Sequence, residues 1–135
     1  MKALVVDDDL TTRMVLHEIL SHYADVHSCV NGNEAVEACA MALDRGEPYD
    51  LICMDLMMPV MGGLEALKII RQEEARCGRI RPQATKVIIT TATNDTDSIE
   101  EAFRDLCDAY VVKPIEGAEF LDVVQCLFPI EERIV

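Results

Sequence analysis

The apolar residues of this chain fall into five short runs, separated by segments in which apolar residues recur at helical spacing. The runs are Lys2–Val6, Asp25–Val30, Leu51–Asp55, Val87–Thr91 and Ala109–Val112. Short β-branched runs bounded by turn residues are typical of strands that are buried on both faces. The pattern therefore predicts five strands, of which the second is the weakest because polar and apolar residues alternate in it.

A helix is expected after each strand. Thr11 or Thr12 is expected to cap the first, which runs to about Tyr23, and Asn33 to cap the second, which runs to about Arg45. Three more are predicted from Gly63 to near Gly78, over residues 95–106, and after Pro114. The residues expected to face inward, helix by helix, are Val15, Leu16, Ile19 and Leu20; Val36, Cys39, Ala40 and Leu43; Leu64, Leu67 and Ile70; Ile99, Ala102, Phe103 and Leu106; and Phe120, Leu121, Val124 and Leu127.

This order predicts a doubly wound α/β fold with a five-stranded parallel sheet and helices on both faces. The flavodoxin-like strand order 2-1-3-4-5 fits five βα units. It places the carboxyl ends of strands 1 and 3 at the switch point, where sheets of this kind bind their ligands. With 135 residues, the chain fits one domain.

Composition narrows the classes of function. The formal net charge of −13 argues against nucleic-acid binding, which needs a basic surface. No apolar stretch approaches the roughly 20 residues of a membrane span, and charge comes too early for a signal peptide, so we expect a cytoplasmic protein. The six cysteines lack the spacing of zinc ligands, which favours reduced structural thiols.

Carboxylates follow the two strands whose ends meet at the switch point. Asp7, Asp8 and Asp9 follow the first strand, and Asp55 ends the third. A single Asp after a strand is more often a turn or capping residue. Two acid-ended strands side by side favour a magnesium site instead, because Mg²⁺ takes oxygen ligands and usually one or two carboxylates. Asp8 and Asp55 could bind the ion directly, and Asp7 through water.

Two further side chains are predicted to reach the same crevice. Lys113, at the end of the fifth strand, would supply a fixed cation beside the carboxylates, although a Lys before a Pro is usually a surface residue. Thr91, at the end of the fourth strand, could donate a hydroxyl hydrogen bond, although Thr in a strand is more often structural.

Four segments together resemble the receiver domain of two-component response regulators, and most closely the stand-alone receivers of the chemotaxis-regulator type. They are Val5-Val-Asp-Asp8, Met54-Asp-Leu-Met-Met-Pro59, Thr91-Ala92 and Tyr110-Val-Val-Lys-Pro114. Each lies at a predicted strand end, and together they cover nearly the whole chain in the right order. The resemblance implies one receiver domain over residues 1–135 without an output domain.

The resemblance also implies a chemistry. Asp55 would accept a phosphoryl group from the phosphohistidine of a histidine kinase or a histidine phosphotransfer protein. Asp8, Asp55 and the backbone carbonyl of Met57 would hold Mg²⁺, for which Mn²⁺ can substitute, and Asp7 would act through water. Lys113 and the Thr91 hydroxyl would contact the phosphoryl oxygens.

A switch is implied as well. Thr91 and Tyr110 would change the surface of the fourth predicted helix, the fifth strand and the last helix, where a downstream effector binds. That surface would carry part of an acidic set, which favours a partner with a basic or apolar docking face. The acidic residues are Asp97, Glu100, Glu101 and Asp105. The Lys113–Pro114 peptide bond is expected to be cis.

The sequence departs from the family pattern at two places. Gly62 stands where an acidic or polar residue usually precedes Gly63, and Leu106-Cys107 replaces a common Gly-Ala before the fifth strand. These departures bear on loop geometry and partner choice, not on the acceptor chemistry.

Two rival functions remain. A magnesium-dependent phosphohydrolase with a nucleophilic Asp typically needs a second Asp two residues later, where this chain has Met57. A degenerate receiver would act as an interaction module only, but the set of acids with Thr91 and Lys113 is intact. We therefore expect a switch that phosphorylates and dephosphorylates itself, rather than a turnover enzyme.

Overall fold

Five parallel strands form one sheet in the order β2-β1-β3-β4-β5, so the predicted flavodoxin-like α/β fold is confirmed. The computed structural model describes residues 1–80, 82–92 and 106–128. The strands are β1 (Lys2–Val6), β2 (Asp25–Cys29), β3 (Leu51–Asp55), β4 (Lys86–Thr91) and β5 (Ala109–Val112). The helices are α1 (Leu10–Ser21), α2 (Gly32–Asp44), α3 (Gly63–Arg76) and α4 (Gly117–Leu127).

The helix predicted over residues 95–106 lies outside the described residues, apart from Leu106. Its expected inward residues and its acidic residues therefore stay predictions. The last predicted helix is α4, in which Phe120 and Val124 are buried as expected. None of the described helices is long and apolar enough to cross a membrane.

Alternation along the strands divides the core between the two faces of the sheet. On one face, α2 and α3 cover a cluster to which the strands contribute Leu4, Val6, Ile52, Met54, Val87 and Ile89. On the other face, α1 and α4 cover a cluster to which the strands contribute Ala3, Val5, Leu51, Cys53, Ile88 and Val111. Because successive side chains of a strand point to opposite faces, these clusters also show on which face each strand-end residue lies.

Both predicted helix caps were wrong. Asp9, not Thr11 or Thr12, caps α1, because its carboxylate accepts hydrogen bonds from the Thr12 backbone N–H at 3.0 Å and the Thr12 hydroxyl at 2.6 Å. Asn31, not Asn33, caps α2, and its side chain accepts from the Glu34 N–H at 2.9 Å. In both cases the helix begins directly after the strand-end loop, where Asp and Asn are good N-caps.

The buried residues of α1 and α2 agree only in part with the predicted ones. In α1, Leu16 and Leu20 are buried as expected, but Val15 is exposed. In α2, the buried residues are Gly32, Ala35, Cys39 and Ala42. Of the predicted inward residues of α2, only Cys39 is buried, and Val36, Ala40 and Leu43 are half-buried. Small residues suit this stripe because α2 packs closely against α3 and the loop before it, where a Cβ at Gly32 would lie 2.6 Å from the Met61 oxygen and 3.0 Å from the Ala66 Cβ.

A buried ionic network joins α3 to the amino-terminal ends of the strands. Glu74 is only 2% exposed, and it accepts hydrogen bonds from Arg71 Nη1 and the Thr85 N–H, both at 2.7 Å. Arg71 also donates to the backbone carbonyl of Leu106 at 2.9 Å. The Thr85 hydroxyl donates to the carbonyl of Tyr49 at 2.7 Å. The partners of Glu74 compensate for its loss of hydration, and the network fixes the edge of the sheet opposite the strand ends that carry the acids.

The start of α3 lies against the end of β3 at Gly63, and this contact generates our first prediction. A Cβ at Gly63 would lie 2.5 Å from the backbone oxygen of Asp55. The backbone would have to shift, so Gly63→Ala should lower the free energy of unfolding by about 1–3 kcal/mol. Urea denaturation measures this loss.

Gly62→Ala is the matched control. Its Cβ would lie 3.3 Å from the Leu56 oxygen, and the φ angle of −76° at Gly62 suits any residue. The control should change the free energy of unfolding by about 0.5 kcal/mol or less. Equal losses in the two variants would show that close packing at Gly63 does not set the position of α3.

Candidate functional site

Three carboxylates meet at the carboxyl edge of the sheet. Asp7 and Asp8 follow β1, Asp55 ends β3, and one oxygen from each lies within 4.8 Å of the others. Asp7 is fully buried and Asp55 is 6% exposed, whereas Asp8 is exposed. The structure therefore brings together the acids that the sequence predicted would share a crevice. Their oxygens form a donor set of the kind that Mg²⁺ prefers.

Lys113 supplies a cation inside this cluster. Its Nζ lies 2.9 Å from Asp7 Oδ2 and 3.4 Å from Asp55 Oδ1. The backbone N–H of Lys113 donates to the Thr91 carbonyl at 2.6 Å, which ties the end of β5 to the end of β4. The Lys113–Pro114 peptide bond is cis, as the resemblance implies.

The β1–α1 loop holds Asp7 from several sides. The Asp9 N–H donates to Asp7 Oδ1 at 2.8 Å, so both carboxylate oxygens of Asp7 are engaged, one here and one by Lys113. Nη1 of Arg13 donates to the backbone carbonyl of Asp7 at 2.7 Å. Asp8 and Asp9 are both exposed, and Asp9 is engaged as the N-cap of α1, which leaves Asp8 as the exposed acid of the loop that does not cap a helix.

Burial and charge act in opposite directions on the ionisable groups of the crevice. Burial raises the pKa of Asp55, and the Asp7 charge adds to this, while Lys113 and the Met57 backbone N–H oppose it. Burial by itself would lower the pKa of Lys113, but its hydrogen bond to Asp7 and the charges of both aspartates outweigh burial and raise it. The crevice therefore favours bound cations.

The chain matches the response regulator receiver domain over residues 3–125. It belongs to this family. Outside the matched segment lie only the first two residues and the last ten.

Individual relatives show how the chain relates to the family. A probable histidine kinase 2 of Oryza sativa is 34% identical over 134 residues, and the match covers 92% of this chain but 12% of the kinase. This receiver chain thus spans a small part of that relative. The chemotaxis protein CheY of Halobacterium salinarum is 27% identical over 124 residues, and the match covers 91% of this chain and 92% of CheY.

A solved structure gives a similar result for the fold. The receiver domain of the sensor histidine kinase PA1611 from Pseudomonas aeruginosa has a magnesium ion coordinated in its active site cleft. It is 25% identical to this chain, with a TM-score of 0.75, and the match covers 93% of this chain and 95% of that one.

The remaining predicted residues of the receiver site lie around the crevice. Thr91 is 1% exposed at the end of β4, and Tyr110 is half-buried in β5 against the cluster under α2 and α3. Met57 is 77% exposed in the β3–α3 loop. In the same loop Val60 has a φ angle of +70°, a strained conformation for a β-branched residue. The roles of Thr91, Tyr110 and the Met57 carbonyl stay predictions.

Sequence reasoning missed two residues of the receiver crevice. Arg13 is the fourth residue of α1, and the available signal was a cation one helical turn after the acidic loop. Thr90 is buried beside Thr91. The sequence gives no signal for Thr90, because threonine is common in strands and this one precedes Thr91 at the end of an apolar run.

Lys113 generates the second prediction. Without added metal ions, Lys113→Gln leaves two buried carboxylates without a fixed cation, so the free energy of unfolding should fall by about 1–3 kcal/mol. Urea denaturation in the presence of a chelator measures the change.

Lys68→Gln, an exposed change on α3, serves as the control and should stay within about 0.5 kcal/mol of the wild type. A loss for Lys113→Gln as small as that of the control would show that the lysine does not stabilise the carboxylates.

Proposed function

We propose that this receiver is a phosphorylatable switch in which Asp55 accepts a phosphoryl group from the phosphohistidine of a histidine kinase or a histidine phosphotransfer protein. The observation that carries the proposal is the placement of Asp55. It is nearly buried at a strand end, with two further carboxylates and the Lys113 ammonium group around it. Family membership supports the same role.

The donor set of the crevice fits Mg²⁺. Asp8 and Asp55 would hold the ion directly, together with the backbone carbonyl of Met57, and Asp7 would contact it through water. Mn²⁺ suits the same oxygen ligands. When bound, the ion supplies positive charge that neutralises the phosphoryl oxygens. The magnesium ion in the cleft of the PA1611 receiver supports this assignment.

The chain's own residues position the nucleophile. An Asp55 oxygen forms a bond to phosphorus as the bond from phosphorus to the donor's histidine nitrogen breaks, and that nitrogen keeps the electron pair. The Met57 N–H and Lys113 orient the Asp55 carboxylate. Lys113 and Thr91 would contact the transferred group. Such positioning and charge neutralisation supply most of the catalysis in phosphoryl transfer.

Met57 supports a switch over a phosphohydrolase, because no carboxylic acid stands two residues after Asp55 to act as an acid or base. We therefore propose slow self-dephosphorylation and no turnover of a free substrate. The downstream partner would be an effector protein. No disulfide joins the six cysteines, all of which lie in the described part of the chain, and this supports our proposal of a cytoplasmic location.

The third prediction tests the acceptor. Incubation with acetyl phosphate and Mg²⁺ should add one phosphoryl group, detected by intact-mass measurement, and a chelator should abolish the addition. Asp55→Asn should add none, whereas the exposed α2 variant Asp44→Asn should label like the wild type. Undiminished labelling of Asp55→Asn would reject Asp55 as the acceptor.

Phosphorylation would act on the surface through Thr91 and Tyr110. A phosphoryl group carries a charge of about −1.5 to −2 and strong acceptor oxygens, which would draw the Thr91 hydroxyl toward it. The movement would free space for Tyr110, whose strand neighbour in β4 is Ile89, two residues before Thr91. Tyr110 would then turn further inward and change the effector surface.

The fourth prediction follows this movement directly. The chain has three tyrosines and no tryptophan, so fluorotyrosine labelling gives a simple fluorine NMR spectrum in which Tyr110→Phe identifies one signal. Beryllofluoride, which mimics the phosphoryl group, should shift the Tyr110 signal in the wild type but not in Thr91→Ala. The same shift in both proteins would show that Thr91 does not transmit the signal.

A further inference from the structure

A buried hydroxyl beside the proposed phosphoacceptor has no role in the chemistry described above. Thr90 is 1% exposed, and its Oγ1 has no hydrogen-bond partner among the residues that the structure describes. Leaving a buried donor without a partner destabilises the folded state, so such groups are uncommon in folded proteins. A hydrogen-bonding role in another state of the protein would explain its presence.

The sheet places Thr90 directly beside Asp55. The two residues are register partners in β3 and β4, and the Leu56 N–H donates to the Thr90 carbonyl at 2.9 Å. Neighbouring strands are about 4.8 Å apart, a separation that a Thr side chain and an Asp side chain can bridge.

Strand alternation shows that Thr90 and Asp55 also share a face. Cys53 and Ile88, two residues earlier in β3 and β4, both belong to the cluster under α1 and α4. Asp55 and Thr90 therefore lie on that same face. By the same argument from Val5, Asp7 lies there too. The Thr90 hydroxyl is thus a donor at the floor of the carboxylate crevice.

We propose that Thr90 is a positioning residue for Asp55, and this proposal rests on the proposed phosphorylation of Asp55. In the present structure Lys113 lies near Asp55 Oδ1 at 3.4 Å. Once Lys113 contacts a phosphoryl group instead, the carboxyl oxygen of Asp55 that is not bonded to phosphorus loses this donor. Rotation about χ1 of Thr90 then brings its hydroxyl to that oxygen.

The hydroxyl acts in dephosphorylation. The oxygen of a water molecule forms a bond to phosphorus, and the bond between phosphorus and the Asp55 oxygen breaks. Its electron pair returns to Asp55 as a carboxylate, and the water's proton passes to the departing phosphate. Because hydrogen bonds to ionised acceptors are stronger than those to neutral ones, the Thr90 hydroxyl stabilises the transition state more than the acyl phosphate. It therefore shortens the life of the phosphorylated state.

The fifth prediction compares the dephosphorylation rates of three variants. Each is phosphorylated with acetyl phosphate and Mg²⁺ and separated from the donor, and loss of the phosphoryl group is then followed by intact-mass measurement. Thr90→Val keeps the shape without the hydroxyl and should lose its phosphoryl group roughly five- to tenfold more slowly, about 1–1.4 kcal/mol in the barrier. Thr90→Ser keeps the hydroxyl and should stay within about twofold of the wild type.

Thr85→Val is the matched control, at the residue just before the other end of β4. Its hydroxyl has partners, Tyr49 and Arg79, so the control should lose stability but keep the wild-type lifetime. If phosphorylated Thr90→Val has the lifetime of the phosphorylated wild type, and the variant is more stable because the unpaired hydroxyl is gone, the role of Thr90 is overturned while the proposed function still stands. A wild type that takes up no phosphoryl group would reject the proposed function itself, and the role of Thr90 with it.

Discussion

The contact of Lys113 with Asp7 and Asp55 is the interaction on which the crevice depends. Two carboxylates that are nearly excluded from water repel each other, and the repulsion grows as hydration is lost. Lys113 lies within 3.4 Å of both and offsets this cost. Its bond to Asp7 spans 106 residues of sequence, from the end of β1 to the end of β5. The charge balance therefore exists only when β1, β3, β4 and β5 have come together in the sheet.

Local backbone geometry then gives each acid of the Asp7-Asp8-Asp9 run a different task. Asp7 points into the protein toward Lys113, Asp8 faces solvent at the rim, and Asp9 caps α1 through Thr12. The cap matters for the crevice because it sets where α1 starts, and α1 in turn places Arg13 on the Asp7 carbonyl. Three identical residues thus differ in function because of backbone direction and burial, which composition does not reveal.

The strands could be predicted from strong local signals, and the strand order followed from the fold that fits five βα units. The apolar runs of β1, β3 and β5 have the predicted bounds, and parallel strands that end in acids bring those acids together. The caps could not be chosen securely, because Asp9 and Asn31 compete with nearby polar residues that have similar capping preferences.

The ionic network around Glu74 was missed for a different reason. Charged residues on a helix normally mark its solvent face, and only the tertiary fold shows that Arg71 and Thr85 satisfy this carboxylate. Sequence patterns report what a residue usually does, so they fail where distant partners change its environment.

Buried polar groups are fully hydrogen-bonded at one end of the sheet and are strained or incompletely paired at the other. At the amino-terminal end, both carboxylate oxygens of Glu74 accept hydrogen bonds. A fully satisfied network of this kind rigidifies the fold. At the carboxyl end, Asp55 carries a raised pKa, Val60 holds a strained φ angle, and the Thr90 hydroxyl has no partner among the described residues. Each of these features costs stability in the resting protein. Such features concentrate at one edge of a sheet when the groups there are arranged for a ligand or a reaction, at the expense of the stability of the resting fold.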